Sequence, residues 1–245
     1  MPTQVAEGVV RLGTDIVNWY LVSDDTGVTV VDAAVPRYRP QLDAGLKLLG
    51  RTTADVRAVV LTHAHADHIG CAEGLRTELG VPVLVHRSDR ELATTGKAFG
   101  KNEASILPYL RHTASWKLLT GLIRGGARQL KIGEVTTFGD DETLDVPGRP
   151  RVLPTPGHTP GHVALDFAGH RVLVVGDLMC TWNPLTGGRG PQLMPRAFNR
   201  STQQMLDSLG RIDDVDAAVT LFGHGDPRRE PPHAAAESAR RIGPT

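Results

Sequence analysis

The chain has 245 residues, with 27 basic side chains against 27 acidic ones, 40% apolar residues and 22% charged residues. These are ordinary proportions for a folded protein with a substantial core, and they exclude disordered, collagen-like and disulfide-scaffold classes. The balanced charge leaves no whole-chain footprint for nucleic acid, and no apolar run approaches the roughly 18 residues that a membrane span needs. The first 21 residues are interrupted by Gln4, Glu7, Arg11 and Asp15, so they carry neither the apolar stretch nor the cleavage site of a signal peptide. Cys71 and Cys180 make no CxxC pair and read as two reduced thiols. A cytoplasmic protein without a membrane partner is therefore expected.

Short apolar strands alternate with helical stretches. Residues 5–12 and 15–22 read as strands, and 28–31 follows a turn at Asp25-Thr26-Gly27. Leu42, Leu46 and Leu49 share one face of a helix over 40–49. A buried strand is expected at 56–61, a helix at 69–79 and another strand at 81–85. The second half offers strands at 151–153, 163–167, 172–175 and 217–222, with helices near 202–211 and 233–241. This mixture predicts an α/β (α+β) layered sandwich of sheets and helices, one domain over 1–245. The middle is different in character. From 97 to 131 seven Lys/Arg stand against one acidic residue, Glu103, and Trp116, Leu119, Leu122 and Ile123 form a helical stripe. The next stretch, 132–146, has five acidic residues and no Lys or Arg. The contrast predicts a helical lid inserted over the core, against the plainer reading of a surface helix with a solvated basic face.

Where the strand at 56–61 ends, four ligand-type residues fall within six positions: His63-Ala64-His65-Ala66-Asp67-His68. At this chain's own His and Asp frequencies, H-x-H-x-D-H arises by chance in roughly one chain per thousand of this length. In an extended segment residues two apart point to the same side, so His63 and His65 can grip one ion. Asp67 and His68 reach a second point as the chain turns toward the helix. Three later sites repeat one plan, an apolar strand, a small residue, then a potential ligand: Gly157 before His158, Gly176 before Asp177, Gly223 before His224. Glycine there lets the backbone turn sharply beside a crowded site. Five histidines and two aspartates suffice for two ions with a shared carboxylate. Imidazole and carboxylate without thiolate suit zinc, and also iron or manganese. An open coordination position acidifies bound water toward pH 7, and two ions about 3.5–4 Å apart can share the resulting hydroxide as a nucleophile. Hydrolytic chemistry is expected.

This pattern resembles the metallo-beta-lactamase superfamily, in its glyoxalase II-like and lactonase-like branch. The resemblance runs from the early strands through Val30-Val31-Asp32-Ala33 to Gly223-His224-Gly225, and it implies a four-layer αβ/βα sandwich with the metal site at one edge. It further implies two zinc ions, with His63, His65 and His158 holding the first, Asp67, His68 and His224 the second, and Asp177 bridging them. Asp32 is similar to the family's aspartate that orients a ligand histidine, and His162 is placed to brace the site without binding metal. His86, His112, His170 and His233 have no such context.

Departures from the pattern narrow the branch. Secreted beta-lactamases carry an export signal, and one of their subclasses has a cysteine where this chain has Asp177. Another has the His-rich motif without the bridging aspartate. Glyoxalase II proper adds a C-terminal helical domain, and the nucleases a large inserted one. Flavodiiron proteins have a glutamate where His65 stands. What remains is a hydrolase of a small carbonyl substrate (lactone, thioester or ester), attacked by the bridging hydroxide while one metal stabilises the oxyanion. Asp67 is placed to handle a proton as the intermediate collapses. Met179 and Trp182, in the loop after Asp177, are expected to wall the substrate site, with the stripe around Trp116 closing from above or forming a homodimer contact. Two rival readings stay open: a persulfide dioxygenase with one iron, and a nucleic-acid phosphodiesterase resting on the basic 97–131 segment.

Overall fold

The computed structural model describes residues 1–14, 16–97, 101–127 and 130–245. The first half builds a seven-stranded sheet in chain order: β1 (Thr3–Ala6), β2 (Val9–Gly13), β3 (Asn18–Asp24), β4 (Gly27–Val31), β5 (Val56–Val60), β6 (Val83–His86) and β7 (Thr136–Phe138). Strands β1 to β4 pair antiparallel, and β4 to β7 pair parallel. Parallel neighbours need crossovers, and these carry α1 (Gln41–Leu48), α2 (Ala72–Leu79), α3 (Arg90–Thr95) and α4 (Thr113–Gly125). The second half supplies β8 (Arg151–Pro154), β9 (Val163–Phe167), β10 (Val172–Gly176), the ribbon of β11 (Met179–Trp182) and β12 (Arg189–Leu193), then α5 (Thr202–Ser208), β13 (Val219–Phe222) and α6 (Pro232–Ile242). Its main sheet has the order β13-β10-β9-β8.

Strand periodicity divides the core into three leaves. On β3, Trp19 and Leu21 join Leu42, Leu46 and Leu75 of α1 and α2, whereas Tyr20 and Val22 face the other way. They meet Leu165, Val172 and Val174 of the second sheet. Leu173 and Val175, on the far side of β10, pack with Met205, Ala235 and Ala239 of α5 and α6. Helix, sheet, sheet and helix therefore stack in four layers, and β3, β4 and β10 are apolar on both faces because both are covered. The αβ/βα sandwich expected from the sequence is the observed fold.

Local differences have local causes. The stretch 5–12 is two strands, β1 and β2, paired as a hairpin. The expected strand at 15–22 begins at Asn18, and Asp15 lies outside the described residues, as do 98–100 and 128–129 of the segment expected to form a lid. The helix expected at 69–79 starts at Ala72, because the backbone just before it is committed elsewhere: Ala33 N–H donates to His68 O, Gly70 N–H to Ala34 O, and Cys71 N–H to Ala33 O. Residues 179–182, read as loop, are β11. No helix among the described residues is long and apolar enough to cross a membrane.

Candidate metal centre

Strand β9 lies antiparallel between β8 and β10, and β13 is parallel to β10. Strands β8, β10 and β13 thus run the same way, and the loops at their C-terminal ends bring His158, Asp177 and His224 to one edge. The His63–His68 segment beyond β5 arrives there from the other sheet. The two sheets are sewn together at this edge. Val163 N–H donates to Thr62 O at 2.9 Å, and Asn18 Nδ2 donates to Phe222 O and Gly225 O at 2.9 and 2.7 Å. Tyr20 Oη donates to Phe222 O at 2.6 Å.

Ligand atoms converge in three overlapping groups, His63/His65/His158, His63/His68/Asp177 and Asp67/His68/His224, with spacings within 4.8 Å inside each group. Asp177 sits at the centre. Its Oδ2 is 3.3 Å from His158 Nε2, 3.2 Å from His224 Nε2 and 3.9 Å from His63 Nε2, and its Oδ1 is 3.5 Å from His68 Nε2. His65 Nδ1 lies 2.8 Å from His158 Nε2, and Asp67 Oδ2 is 3.6 Å from His224 Nε2. The structure therefore brings together all seven residues expected to ligate metal. His63 Nε2, His68 Nε2 and Asp177 Oδ1 are buried without a hydrogen-bond partner. Three orphaned lone-pair or acidic atoms at one point would be costly in a protein with nothing to place there. With nitrogen and carboxylate donors and no thiolate, the set fits divalent cations.

The outer nitrogens of His63, His68, His158 and His224 have protein partners, which fix those rings. His68 Nδ1 is 2.9 Å from Asp32 Oδ2, and Asp32 also accepts from Thr62 N–H and Oγ1. His158 Nδ1 donates to Asn199 Oδ1 at 3.0 Å, and His224 Nδ1 donates to Ile16 O. His63 Nδ1 is 3.1 Å from Thr62 Oγ1. His162 accepts from Asp177 N–H at Nε2 (3.0 Å) and reaches Thr155 through Nδ1. Both of its nitrogens are thus engaged by the protein, one of them holding the Asp177 backbone. Thr62, Asn199 and Asp89 were not anticipated. Asp89 accepts from Ala64 N–H, Thr159 Oγ1 and Gly161 N–H.

Two glycines serve different ends here. Gly176 has φ +50, and a Cβ would lie 2.8 Å from Thr62 Oγ1 and 2.9 Å from His162 Nε2. Gly223 needs no left-handed backbone; a Cβ there would overlap Asp177 Oδ1. The turn expected of every ligand-preceding glycine is, at this one, a demand for space.

Charge separates the ligands. Burial, then repulsion from neighbouring histidines, holds His63 and His65 well below the ordinary imidazole range, and burial lowers His158 too. Burial and His158 push His162 down to about 3. His68 resists burial because Asp177, Asp32 and Asp67 surround it, and it rises to about 10; His224 is raised against burial by Asp177 and Asp67. Burial opposes ionisation of Asp177, but His224 and His68 hold it well below the usual carboxylate range.

A cavity of about 310 Å³ opens over these ligands. Its lining combines the polar His65, Asp67, Asn102, His158, Asp177 and His224 with the apolar Leu118, Leu122, Met194 and Phe198. The three side chains expected to meet substrate are elsewhere. Met179 is fully buried in the core beneath the second sheet, because β11 turns it inward. Trp182 is 6% exposed, with the Lys117 ammonium 5.2 Å above its ring. Trp116 is 52% exposed, and its Nε1–H donates to Leu110 O. Helix α4 does face the cavity, but through Leu118 and Leu122. Cys71 and Cys180 are buried free thiols.

A profile of the metallo-beta-lactamase superfamily matches residues 12–224. The chain is 27% identical over 238 residues to "Probable metallo-hydrolase YflN" of Bacillus subtilis (strain 168), covering 91% of this chain and 86% of that protein. It is 29% identical to a hydroxyacylglutathione hydrolase of Gloeobacter violaceus, covering 83% of this chain but 61% of that protein. Among solved structures, a metallo-beta-lactamase family protein of Thermus thermophilus superposes with a TM-score of 0.65 at 29% identity, covering 95% of this chain and 78% of the other.

Proposed function

Because the chain belongs to the metallo-beta-lactamase superfamily, we propose that it is a dinuclear metal-dependent hydrolase of a small carbonyl compound, a lactone, thioester or ester with an apolar acyl part. The observation that carries this reading is the chain of three overlapping ligand groups, the middle one holding Asp177 within 3.2–3.9 Å of His63, His68, His158 and His224, at a cavity lined by both these polar residues and apolar ones. His63, His65 and His158 would hold one ion, and Asp67, His68 and His224 the other. Zinc fits this donor set best, with iron or manganese next. When bound, two such ions supply water acidified to near neutrality and Lewis acidity toward a carbonyl oxygen.

The protein's own contribution is positional. Asp32, Asn199 and the Ile16 carbonyl fix the ring planes of His68, His158 and His224, so no reorganisation is needed during turnover. Asp67 is a carboxylate with an edge toward the cavity, its side chain 17% exposed against 3% for Asp177. It is the group we assign to accept a proton and return it to the leaving atom. Leu118, Leu122, Met194 and Phe198 would take the acyl part and exclude water. Helix α4 is then the lid of a single-domain enzyme, and its inward residues, not Trp116, set substrate preference. The likeness to proteins named hydroxyacylglutathione hydrolases supports placing thioesters in the substrate panel. The two buried thiols are in keeping with a cytoplasmic location.

Elemental analysis of protein purified without added metal, followed by a panel of lactones, thioesters, esters and phosphodiesters, tests the proposal. Two zinc ions per chain with carbonyl hydrolysis is the expected result. One iron per chain, with oxygen-dependent turnover of persulfides, would overturn it.

A further inference from the structure

Asp89 closes the short 3-10 turn Arg87–Asp89 after β6 and stands at the N-cap position of α3. An aspartate there ordinarily spends its carboxylate on the first backbone N–H groups of its own helix. This one makes no such bond. It is fully buried and turned the other way, into the back of the metal centre. Oδ2 accepts from Ala64 N–H at 3.1 Å and from Thr159 Oγ1 at 2.7 Å, and Oδ1 accepts from Gly161 N–H at 2.7 Å.

The three donors are not scattered. Ala64 sits between His63 and His65, and Thr159 follows His158 directly. All three ligands of one candidate group are thereby flanked by donors to a single carboxylate. The loops that it joins belong to different sheets, one beyond β5 and one beyond β8. The approach is close enough that a Cβ on Gly161 would come within 2.8 Å of the Asp89 carboxylate carbon. The other group, Asp67, His68 and His224, is braced by Asp32 and Ile16, and no hydrogen bond described for it involves Asp89.

We propose that Asp89 is a positioning residue that sets the separation of the two loops, and hence the affinity of the ion held by His63, His65 and His158, without acting on the other ion. This rests on the dinuclear reading above. Hydrogen-bonding partners of metal ligands are worth about 10- to 100-fold in metal affinity, so an effect of that size, confined to one ion, is expected.

Titration of the metal-free protein with cobalt(II) or zinc(II) against a competing chelator tests it. Asp89→Asn keeps the volume but sets an amide N–H₂ against at least one backbone N–H. It should weaken one of two binding steps by about 10- to 100-fold and leave the other within about twofold. A cycle with single-ligand variants identifies the step. In a His224→Ala background, where the first group is intact, Asp89→Asn should still weaken binding; in a His158→Ala background it should add little. Thr159→Val removes one donor, keeps the carboxylate and should give a smaller loss at the same ion, so a poorly folded Asp89 variant would not leave the question open. Equal weakening of both ions, no weakening, or full additivity with His158→Ala would overturn the proposal while the wild type still binds two ions. A wild type that binds fewer than two would overturn the dinuclear reading instead.

Discussion

The two halves of the metal centre are made of similar residues and are prepared differently. His63, His65 and His158 are all imidazole, lowered by burial and by each other, so at neutral pH they offer lone pairs that carry no proton. His68 and His224 sit among Asp32, Asp67 and Asp177, and these carboxylates raise both rings against burial, His68 to about 10. One half is a ready receptor. In the proposed two-ion site the other would release the His68 proton to take an ion, and Asp177 lies between the two. The difference shows how neighbours, not residue type, decide what a histidine does.

Removing what the halves share should have the largest effect. Asp177→Ala is expected to lose metal at both positions and to lower turnover by about 10³-fold or more; full retention of metal and rate would break the two-ion picture. Gly223→Ala, which forces a methyl group into Asp177 Oδ1 and toward His68, should cost about 1–3 kcal/mol of stability and metal together, read by thermal unfolding with and without added zinc. Asp32→Asn should weaken only the Asp67/His68/His224 ion, by about 10- to 100-fold, measured by the same chelator competition. Acidity should separate the halves as well. The raised His68 is protonated below about 10, so affinity there should climb with pH by about tenfold per unit for each proton released. The neutral half should stay nearly flat above pH 7, and parallel pH profiles for the two ions would contradict the contrast. The smallest change is expected from Trp116→Ser, which faces away from both halves: KM within about twofold of wild type, whereas Leu118→Ala should raise it for acyl substrates.

The residues that converge at the candidate site could be picked out in the sequence because each is written close to the end of a strand, and strands announce themselves by apolar runs. Once β8, β10 and β13 point the same way, their ends must meet. The braces left no such trace. Asp89 follows an apolar strand and precedes a helix, where an aspartate reads as a cap; only the tertiary fold turns its carboxylate toward Ala64 and Thr159. Asn199, just before α5, hides in the same way. The stripe at 116–123 shows the complementary failure. Periodicity finds an amphipathic helix but not which side docks, and here Leu118 and Leu122 turn inward while Trp116, Leu119 and Ile123 remain exposed. Met179 was misplaced because a two-stranded ribbon of mixed residues, paired Met179 with Leu193, looks like a loop until its partner is known.

The sewing of the two sheets beside Phe222 bears on how the protein is made. Synthesis runs from the N-terminus, so His63, His65, Asp67 and His68 emerge while Asp177 and His224 are still unmade. An ion met at that stage finds four ligands and no shared carboxylate. In the folded chain His224 is held where β13 lies against β10 and the carbonyl of Phe222 receives the bonds from Asn18 and Tyr20 of β3. The last of the expected ligands, His224, thus lies two residues beyond Phe222, in the stretch where further bonds join the halves, Asn18 to Gly225 O and Arg229 to Val5 O. If the proposed two-ion site is right, tight retention of metal would report that the final strand is in place.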